Sequence, residues 1–506
     1  MVGLRSTAAP FNSVWVVDFA MGNAGKGLAR GLDQADLGRA HSHPQRFRWR
    51  RGGTRPYHAF EFVRACLVEG GIQRFTNMKL PSLLLAGALG SAAFAENWPQ
   101  WRGPNFNGSA NISGLPATFT KADAKWVTPL PGHAGSTPVV WGDRIFLTTP
   151  DEAKNLNLVC LDAKTGVIKW SKTVAVGDKE KGRNNMASPS PVTDGKRVIA
   201  LFGTGDLAAF DFEGNELWRR PLHQDYGRFA IMWIYGASPL LTDGQLIIPF
   251  LQRDEMPNDY PLFDGKPERD SFLLSLDPAT GKTLWKAARE TDSTKESHES
   301  YATPFPYRGA NGNEIVVVGG DHVSGHNPKD GSELWRARLY SKRDDWYRIV
   351  TSPVALDGLI YASGPKGQPV VAFKDGGKGD VTATHKVWEF TEAPTDWSTP
   401  LVYKGKLFVL DGGKRILSRL DPKTGTKEWS GKLETMDQIW SSPTGADGKI
   451  YLLSENGTVL VVSAGDSFEI LNRLELDEGP ARSSVVPFDR GILVRTGKNL
   501  YCFAKK

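Results

Sequence analysis

The sequence predicts an all-β fold, an eight-bladed β-propeller of four-stranded antiparallel blades, and two recurring patterns carry that prediction. In the first, a serine or threonine precedes a proline and an apolar run, which is typical of the start of a strand. In the second, a turn that ends in glycine precedes a strand that contains tryptophan. Because one four-stranded sheet cannot bury both of its faces, the repeated sheets must stack on copies of themselves.

One complete blade is visible in residues 398–429. Apolar runs flank a Lys404-Gly405 turn, and a third run meets a fourth through the turn from Asp421 to Gly425, which precedes Trp429. Eight first strands are predicted, at Thr137-Pro138, Ser190-Pro191, Ser238-Pro239, Thr303-Pro304, Ser352-Pro353, Thr399-Pro400, Ser442-Pro443 and, without proline, Ser483-Ser484-Val485. Six copies carry the tryptophan at intervals of 41 to 67 residues, which suits blades of about 40–50 residues with insertions.

Closure of the ring is predicted from the two ends of this repeat region. The eighth copy has room for only three strands before the chain ends, whereas Ala124 to Val127 forms an apolar stretch with Trp126 and no strand before it. Pairing this N-terminal strand with the last blade closes the ring and removes both free sheet edges. The tryptophans are expected to fill the space between neighbouring blades.

The first 95 residues are predicted to stand apart from the propeller. Residues 1–77 hold 11 Lys/Arg against 5 Asp/Glu, which indicates a disordered basic leader or a start codon assigned too early; a basic arm for nucleic acid or membrane is the other interpretation. Residues 78–95 have the pattern of a signal peptide, with cleavage after Ala95. The residue directly after that site is Glu96 and not a cysteine, so a lipid anchor of the bacterial lipoprotein type is not expected. The mature protein is expected to be soluble, monomeric, and periplasmic or secreted, with no transmembrane segment.

The remaining chain is electrically balanced. Apart from residues 1–77 and Lys79, it holds 50 of the 62 Lys/Arg and 51 of the 56 Asp/Glu, so the basic pI gives no support for nucleic-acid binding. Residues 96–123 are predicted to be an extension that packs on the propeller, and residues 124–506 to be the propeller. Cys160 and Cys502 occupy the same place in their repeats, and two separate buried thiols are favoured over a disulfide.

The working face is predicted from the lengths of the loops. Turns within blades are tight at one face, as at Asp357-Gly358, whereas blade-to-blade crossings at the other face are long, as in 286–301. Residues just before each first strand should surround the mouth of the central channel. The candidate ligand-binding residues are His133, Asn185, Tyr235, His298, Glu299, Tyr301, Arg348, Asp396, Trp397, Gln438, Trp440 and Arg482. Aromatic faces would stack on sugars or planar rings and arginines would hold oxyanions; a solvated funnel of mutually satisfied polar groups is the alternative.

The repeated pattern in Leu273 to Trp285 and in Leu417 to Trp429 resembles the PQQ-type β-propeller repeat of the pyrroloquinoline-quinone dehydrogenases. The opening Asn97 to Pro104 resembles exported PQQ-like proteins of planctomycete-type bacteria. For the dehydrogenases, the resemblance implies a quinone in the channel, stacked on a tryptophan and on adjacent cysteines, with Ca²⁺ held by Glu, Asn and Asp. The sequence has no adjacent cysteine pair, and no catalytic residue or metal site is identified.

Two functions follow from this resemblance. Eight-bladed propellers of this type without cofactor include the lipoprotein of the outer-membrane barrel-assembly machinery, which binds a partner through its loops. The leading prediction is accordingly an exported scaffold that binds a protein or polysaccharide on the loop-rich face. The alternative is a PQQ-dependent alcohol or sugar dehydrogenase with PQQ and Ca²⁺ in the central channel.

Overall fold

The computed structural model describes residues 96–177, 179–254, 269–489 and 491–504. The predictions for the leader and the signal peptide, residues 1–95, lie outside the described residues. The propeller prediction is confirmed, because the described chain forms eight four-stranded antiparallel sheets arranged as blades. Among the described residues, no helix is long and apolar enough to cross a lipid bilayer.

The blades, numbered 1 to 8 in chain order, have short first strands near the channel and longer outer strands. Blade 1 comprises Val139–Trp141, Arg144–Pro150, Asn155–Asp162 and Ile168–Val176, and blade 2 comprises Val192–Thr193, Val198–Leu201, Asp206–Phe210 and Glu216–Pro221. Blade 3 comprises Leu240–Thr242, Gln245–Phe250, Phe272–Leu276 and Thr283–Ala288, and blade 4 comprises Phe305–Gly309, Gly312–Gly319, His322–His326 and Glu333–Arg338. Blade 5 comprises Val354–Leu356, Leu359–Ser363, Val370–Lys374 and Lys386–Phe390, and blade 6 comprises Leu401–Tyr403, Lys406–Asp411, Ile416–Leu420 and Lys427–Lys432. Blade 7 comprises Thr444–Ala446, Lys449–Leu453, Thr458–Ser463 and Ile470–Glu475, and blade 8 comprises Val486–Phe488, Gly491–Arg495, Asn499–Ala504 and Ala124–Pro129.

The remaining regular elements lie in the connections between these strands. A hairpin of Glu180–Lys181 and Asn184–Asn185 follows blade 1, and Gly379–Asp380 adds a parallel edge strand to blade 4. The helices are short: Leu222–Tyr226 and Thr382–His385 are α-helical, and Lys121–Asp123 and Lys295–His298 are 3₁₀-helical. The connections rather than the blades therefore supply the irregular structure.

The core lies between adjacent blades rather than in one central mass. Third strands are buried on both faces, as in Thr458–Ser463, and such strands carry continuous apolar runs. Fourth strands are exposed at the rim, so Lys427–Lys432 alternates around the buried Trp429. This difference between inner and outer strands arises because each inner strand is covered by a neighbouring blade on either side.

The glycine and the tryptophan of the repeat form the contact between neighbouring blades. The indole N–H groups donate to carbonyls of the following blade at 2.9–3.1 Å, from Trp170 to Phe212, Trp218 to Pro278, Trp285 to Pro328, Trp388 to Pro422 and Trp429 to Gly465. The turn glycine packs on the same indole, since a Cβ added at Gly281 would lie 2.7 Å from Trp218. Trp335 departs from this rule, because its N–H donates at 2.7 Å to Glu314 within its own blade.

The ring is closed by the same glycine–tryptophan contact that joins the other neighbouring blades. Ala124–Pro129 pairs antiparallel with Asn499–Ala504, as predicted, and becomes the fourth strand of blade 8. Trp126 donates to the carbonyl of Ala163 in blade 1 at 3.3 Å and packs on Gly166. The first and last blades therefore meet as any other two neighbours do.

The Ser/Thr residues before the first strands form a ring, interrupted between blades 7 and 8, that we call the hydroxyl belt. The backbone N–H of one member donates at 2.8–3.1 Å to the hydroxyl of the next, from Thr137 to Ser190, Ser190 to Ser238, Ser238 to Thr303, Thr303 to Ser352, Ser352 to Thr399, Thr399 to Ser442, and Ser484 to Thr137. The small residue of the repeat is thus serine or threonine because its hydroxyl accepts a bond from the neighbouring blade.

The segment 97–110 crosses the tight-turn end of the channel. Trp98 pairs with Val140 of blade 1, and Ser109 pairs with Gly445 of blade 7. Between them, the buried guanidinium of Arg102 donates to the carbonyls of Pro400 at 2.9 Å and Pro443 at 3.0 Å. The segment therefore covers this end of the channel from one side of the ring to the other.

Candidate functional site

A cavity of about 140 Å³ lies in the central channel and is entered from the loop-rich face. Members of the hydroxyl belt form its wall, and Trp101 of the N-terminal segment lies at its closed end. The crossings contribute Arg183, Tyr301, Trp397, Trp440 and Arg482 towards its mouth. The central channel is therefore a blind cavity whose mouth is aromatic and basic.

Four of the twelve predicted residues line this cavity: Tyr301, Trp397, Trp440 and Arg482. Two others line a separate pocket of about 320 Å³ beside blade 1, where His133 is 2.8 Å from Glu180 and the Asn185 amide donates to the carbonyl of His133. The channel mouth thus receives only part of the predicted set.

Three further candidates have roles outside the cavity. Tyr235 is fully buried, stacks on Phe229 at 3.8 Å and donates its hydroxyl to the carbonyl of Pro249, so it belongs to the core between blades 2 and 3. Asp396 accepts the backbone N–H of Lys366. The backbone carbonyl of Gln438 accepts the N–H of Glu455 and thereby holds that carboxylate near the mouth.

The remaining three candidates belong to a charged cluster formed by the crossings that follow blades 2, 3 and 4. Glu299 is fully buried and accepts hydrogen bonds from Tyr301 at 2.7 Å, from the Met232 N–H at 3.1 Å and from Arg253. Arg348 lies 3.2 Å from Glu296 and 5.7 Å from the centre of the Trp233 ring.

His298, the third of these candidates, is buried against Asp254. Its Nδ1 is 2.9 Å from an Asp254 carboxylate oxygen. Burial nevertheless lowers the pKa of His298, although Asp254 acts in the opposite direction. The imidazole therefore favours its neutral form.

Burial raises the pKa of Glu299 to about 7, against the opposing effects of Arg253 and Tyr301. A folded-state pKa above the ordinary value of 4.5 makes the protonated form stabilising, so that contribution is complete below pH 4.5 and is lost as the pH rises through 7. We expect wild type to lose on the order of 3 kcal/mol of unfolding free energy over this interval relative to Glu299→Gln. Urea unfolding of both proteins at a series of pH values measures the difference, and parallel pH profiles would contradict it.

The aromatic pair at the mouth is packed against itself. The rings of Trp397 and Trp440 stack at 4.0 Å with an interplanar angle of 15°, and Trp397 donates its N–H to the carbonyl of Ile439 at 2.7 Å. The Arg183 guanidinium lies 4.7 Å from the centre of the Trp440 ring. The two indole faces that the sequence predicts to stack on a ligand are therefore turned towards each other, and a cation lies over Trp440.

Sequence reasoning missed three of the residues that complete the site. Arg183 is at the tip of the hairpin after blade 1, Glu455 lies behind the mouth, and Trp101 comes from the N-terminal extension. None belongs to the repeat pattern, so alignment of the eight copies gives no signal for them. The available signal for Arg183 was the Gly182-Arg183-Asn184 sequence, because glycine and asparagine favour a tight turn in a crossing.

The described residues do not fit the quinone site that the resemblance implies. Trp440 is covered by Trp397 and Arg183, which leaves no open face for a planar ring. Cys160 and Cys502 are free thiols buried in the third strands of blades 1 and 8, and burial raises the pKa of each to about 12. Within the described ranges, no group of three His, Cys, Asp or Glu side chains is placed to hold a metal ion.

Comparison with known families identifies the repeat. A family model described as outer membrane protein assembly factor BamB matches residues 119–232, 235–387 and 377–469. The chain belongs to this PQQ-type β-propeller repeat family. The matched ranges run from the closing strand to blade 7, so the PQQ-type repeat accounts for most of the propeller.

Individual relatives of the PQQ-type chain are distant. The polyvinylalcohol dehydrogenase of Sphingopyxis sp. (strain 113P3) is 27% identical over 199 residues, which cover 38% of this chain and 28% of that protein. A quinohemoprotein alcohol dehydrogenase from Comamonas testosteroni matches with a TM-score of 0.58 at 12% identity, over 81% of this chain and 80% of its own. BamB from Moraxella catarrhalis matches with a TM-score of 0.52 at 12% identity, over 75% of this chain and 99% of the BamB chain. The two solved structures establish likeness of fold alone.

Proposed function

We propose that this protein is an exported, monomeric scaffold that binds a protein or polysaccharide partner on its loop-rich face, with one group of the partner seated in the central cavity. The observation that carries the proposal is the blind cavity, because aromatic and basic side chains from separate crossings converge on it. The hydroxyl belt and the inter-blade tryptophans hold these crossings on a rigid frame. The proposed location is the periplasm or the exterior, after cleavage near Ala95.

A PQQ-dependent alcohol or sugar dehydrogenase is the second candidate. Similarity to polyvinylalcohol dehydrogenases favours it, although the chain spans less than a third of the length of the curated relatives it matches. The packing of Trp440 between Trp397 and Arg183 argues against it. Binding therefore remains the leading proposal for this cavity.

Filling the cavity should weaken binding of the partner. Gly135 lines it, and a Cβ added there would come no closer than 3.9 Å to its nearest non-adjacent neighbour, the hydroxyl of Ser188. We expect Gly135→Phe to place a ring in the cavity and weaken capture by at least about tenfold, since the ring would exclude a ligand of similar size. The purified wild-type protein is first presented to a glycan array and to envelope proteins, and the captured partner is then titrated against both proteins.

Gly135→Ala is the matched control, because it changes the same backbone position without filling the space, and it should bind as wild type does. Equal affinity of Gly135→Phe and wild type for the captured partner would remove the cavity from the function. Addition of PQQ with Ca²⁺, followed by dye reduction with alcohols, sugars or polyvinyl alcohol, tests the second candidate. Saturable uptake with turnover would replace the scaffold proposal by the dehydrogenase.

A further inference from the structure

We infer that the central cavity selects a small oxyanion-bearing ligand, a hydroxylated carboxylate such as a sugar acid, and that Arg183 is its specificity-determining residue. The inference rests on the proposed function and deepens it, because it names the chemistry of the group that enters the cavity. Three independent features of the cavity support it: its charge, the free donors of Arg183 and the donor character of its wall.

The lining of the cavity is positively charged. It contains two guanidinium groups, Arg183 and Arg482, and among the described residues it contains no carboxylate. Both guanidinium groups lie beside one acid, Glu455, which accepts hydrogen bonds from Arg482 at 2.9 and 3.3 Å and lies 3.6 Å from Nε of Arg183. Because two cations share one carboxylate, one positive charge at the mouth remains uncompensated. A low-dielectric cleft of this sign concentrates anions.

Arg183 presents free hydrogen-bond donors at a defined position. Within the described part of the chain, its side chain makes no hydrogen bond, and it is held by Glu455 and by the Trp440 ring. Its backbone carbonyl accepts a bond from Arg482 at 2.8 Å, and the next residue, Asn184, donates to the carbonyl of Ile234 at 3.2 Å. The hairpin tip is thus anchored at two crossings while the guanidinium fork stays available. An anchored fork of this kind suits two-point contact with an oxyanion.

The wall also favours hydrogen-bond acceptors. Ser190, Ser238 and Ser442 line the cavity, and each hydroxyl already accepts a backbone N–H from the preceding blade. Each therefore keeps its own O–H to donate. The belt is interrupted between blades 7 and 8, where the buried hydroxyl of Ser484 has no hydrogen-bond partner. This interruption lies in the same lining as Arg482 and Trp440.

The size of the cavity limits the ligand to a single small group. Its volume of about 140 Å³ is comparable to cavities of roughly 150 Å³ that hold one six-membered ring. Trp440 presents no open face to that ring, because Trp397 and Arg183 cover it, so we expect hydrogen bonds and charge to supply the selectivity. A monosaccharide acid, free or at the end of a chain, combines a ring of this size with hydroxyls and a carboxylate.

The test is calorimetric titration of the full chain with D-glucuronate, D-glucose and glucose 6-phosphate. Glucose is the neutral control for glucuronate, because it has the same ring without the carboxylate. Glucose 6-phosphate tests whether a phosphate ester can replace the carboxylate as the oxyanion. We expect glucuronate to bind at least about tenfold more tightly than glucose, and its affinity to fall with salt because exposed charge is screened. Arg183→Gln should lose about tenfold in glucuronate affinity. Arg343→Gln, a change of comparable exposure on another crossing, should lose none.

Equal binding of glucose and glucuronate would overturn the inference, as would unchanged affinity of Arg183→Gln or an absence of glucuronate and phosphate binding. Tight binding of glucose 6-phosphate alongside glucuronate would support it and extend it to phosphate esters. The proposed function is judged separately by Gly135→Phe. A neutral partner whose capture is blocked by Gly135→Phe would leave the scaffold standing while this inference fails.

Discussion

Replacement of Trp126 by alanine is expected to lower the free energy of unfolding by about 3–5 kcal/mol, the usual range for a buried tryptophan. Trp126 is only 9% exposed, donates to the carbonyl of Ala163 and packs on Gly166 of blade 1. It also belongs to the one blade whose strands come from both ends of the propeller region. The loss should therefore act on closure of the ring, and urea unfolding followed by tryptophan fluorescence measures it.

Trp346→Ala provides the matched control, because Trp346 is 51% exposed on the crossing between blades 4 and 5. Its removal should change stability by less than about 0.5 kcal/mol. A Trp126 variant that unfolds at the same urea concentration as the Trp346 variant would show that the closing strand adds little to the stability of the ring.

Arg102→Met should release the N-terminal segment from the channel. Arg102 is 5% exposed and donates to three carbonyls, of Pro400, Pro443 and Asn107. Hydrogen bonds from a charged donor contribute about 1.5–3 kcal/mol each, and the carbonyls would remain buried without partners, so a local loss of about 3–5 kcal/mol is expected. Backbone amide exchange and limited proteolysis of residues 97–110 measure this loss while the blades stay folded.

Arg473→Met is the control for this experiment, since Arg473 lies at the rim with 39% of its side chain exposed. It should leave exchange of the segment at the wild-type rate. Wild-type protection of residues 97–110 in Arg102→Met would mean that the strand-like pairs of Trp98 and Ser109 suffice to hold the segment. In that case Trp101 would keep its place at the closed end of the cavity.

The fold could be predicted because each blade is encoded locally. The turn from Asp421 to Gly425 is specified by its own side chains, as the Asp421 carboxylate accepts the N–H groups of Lys423 and Thr424. Gly425 is required by a φ of +72° and by its contact with Trp388, and both requirements recur in other blades. Because this turn and the glycine–tryptophan pair recur along the chain, the number of blades and the closing strand could be predicted from the sequence.

The candidate site was predictable only where the repeat frame places a side chain on the axis. Trp397, Trp440 and Arg482 reach the cavity from the positions just before their first strands. Tyr235 occupies the equivalent position in blade 3, yet it turns into the core because Phe229 offers it a stacking partner there. Glu299 likewise turns towards Arg253 and the Met232 N–H. These choices depend on neighbours in other crossings, which the repeat does not specify.

The sequence by itself determined the eight blades, their four-strand composition, the closing strand and the loop-rich face, because turn chemistry and alternation of apolar residues act within one repeat. Only the tertiary structure decided that Arg183 lies over Trp440 and that Trp101 ends the channel, since Arg183 and Trp440 lie far apart in the chain and Trp101 lies outside the repeat. The hydroxyl belt depends on both the sequence and the tertiary structure. Its serines and threonines are visible in the sequence, but their role as acceptors, and the break at Ser484, arise only when the blades meet.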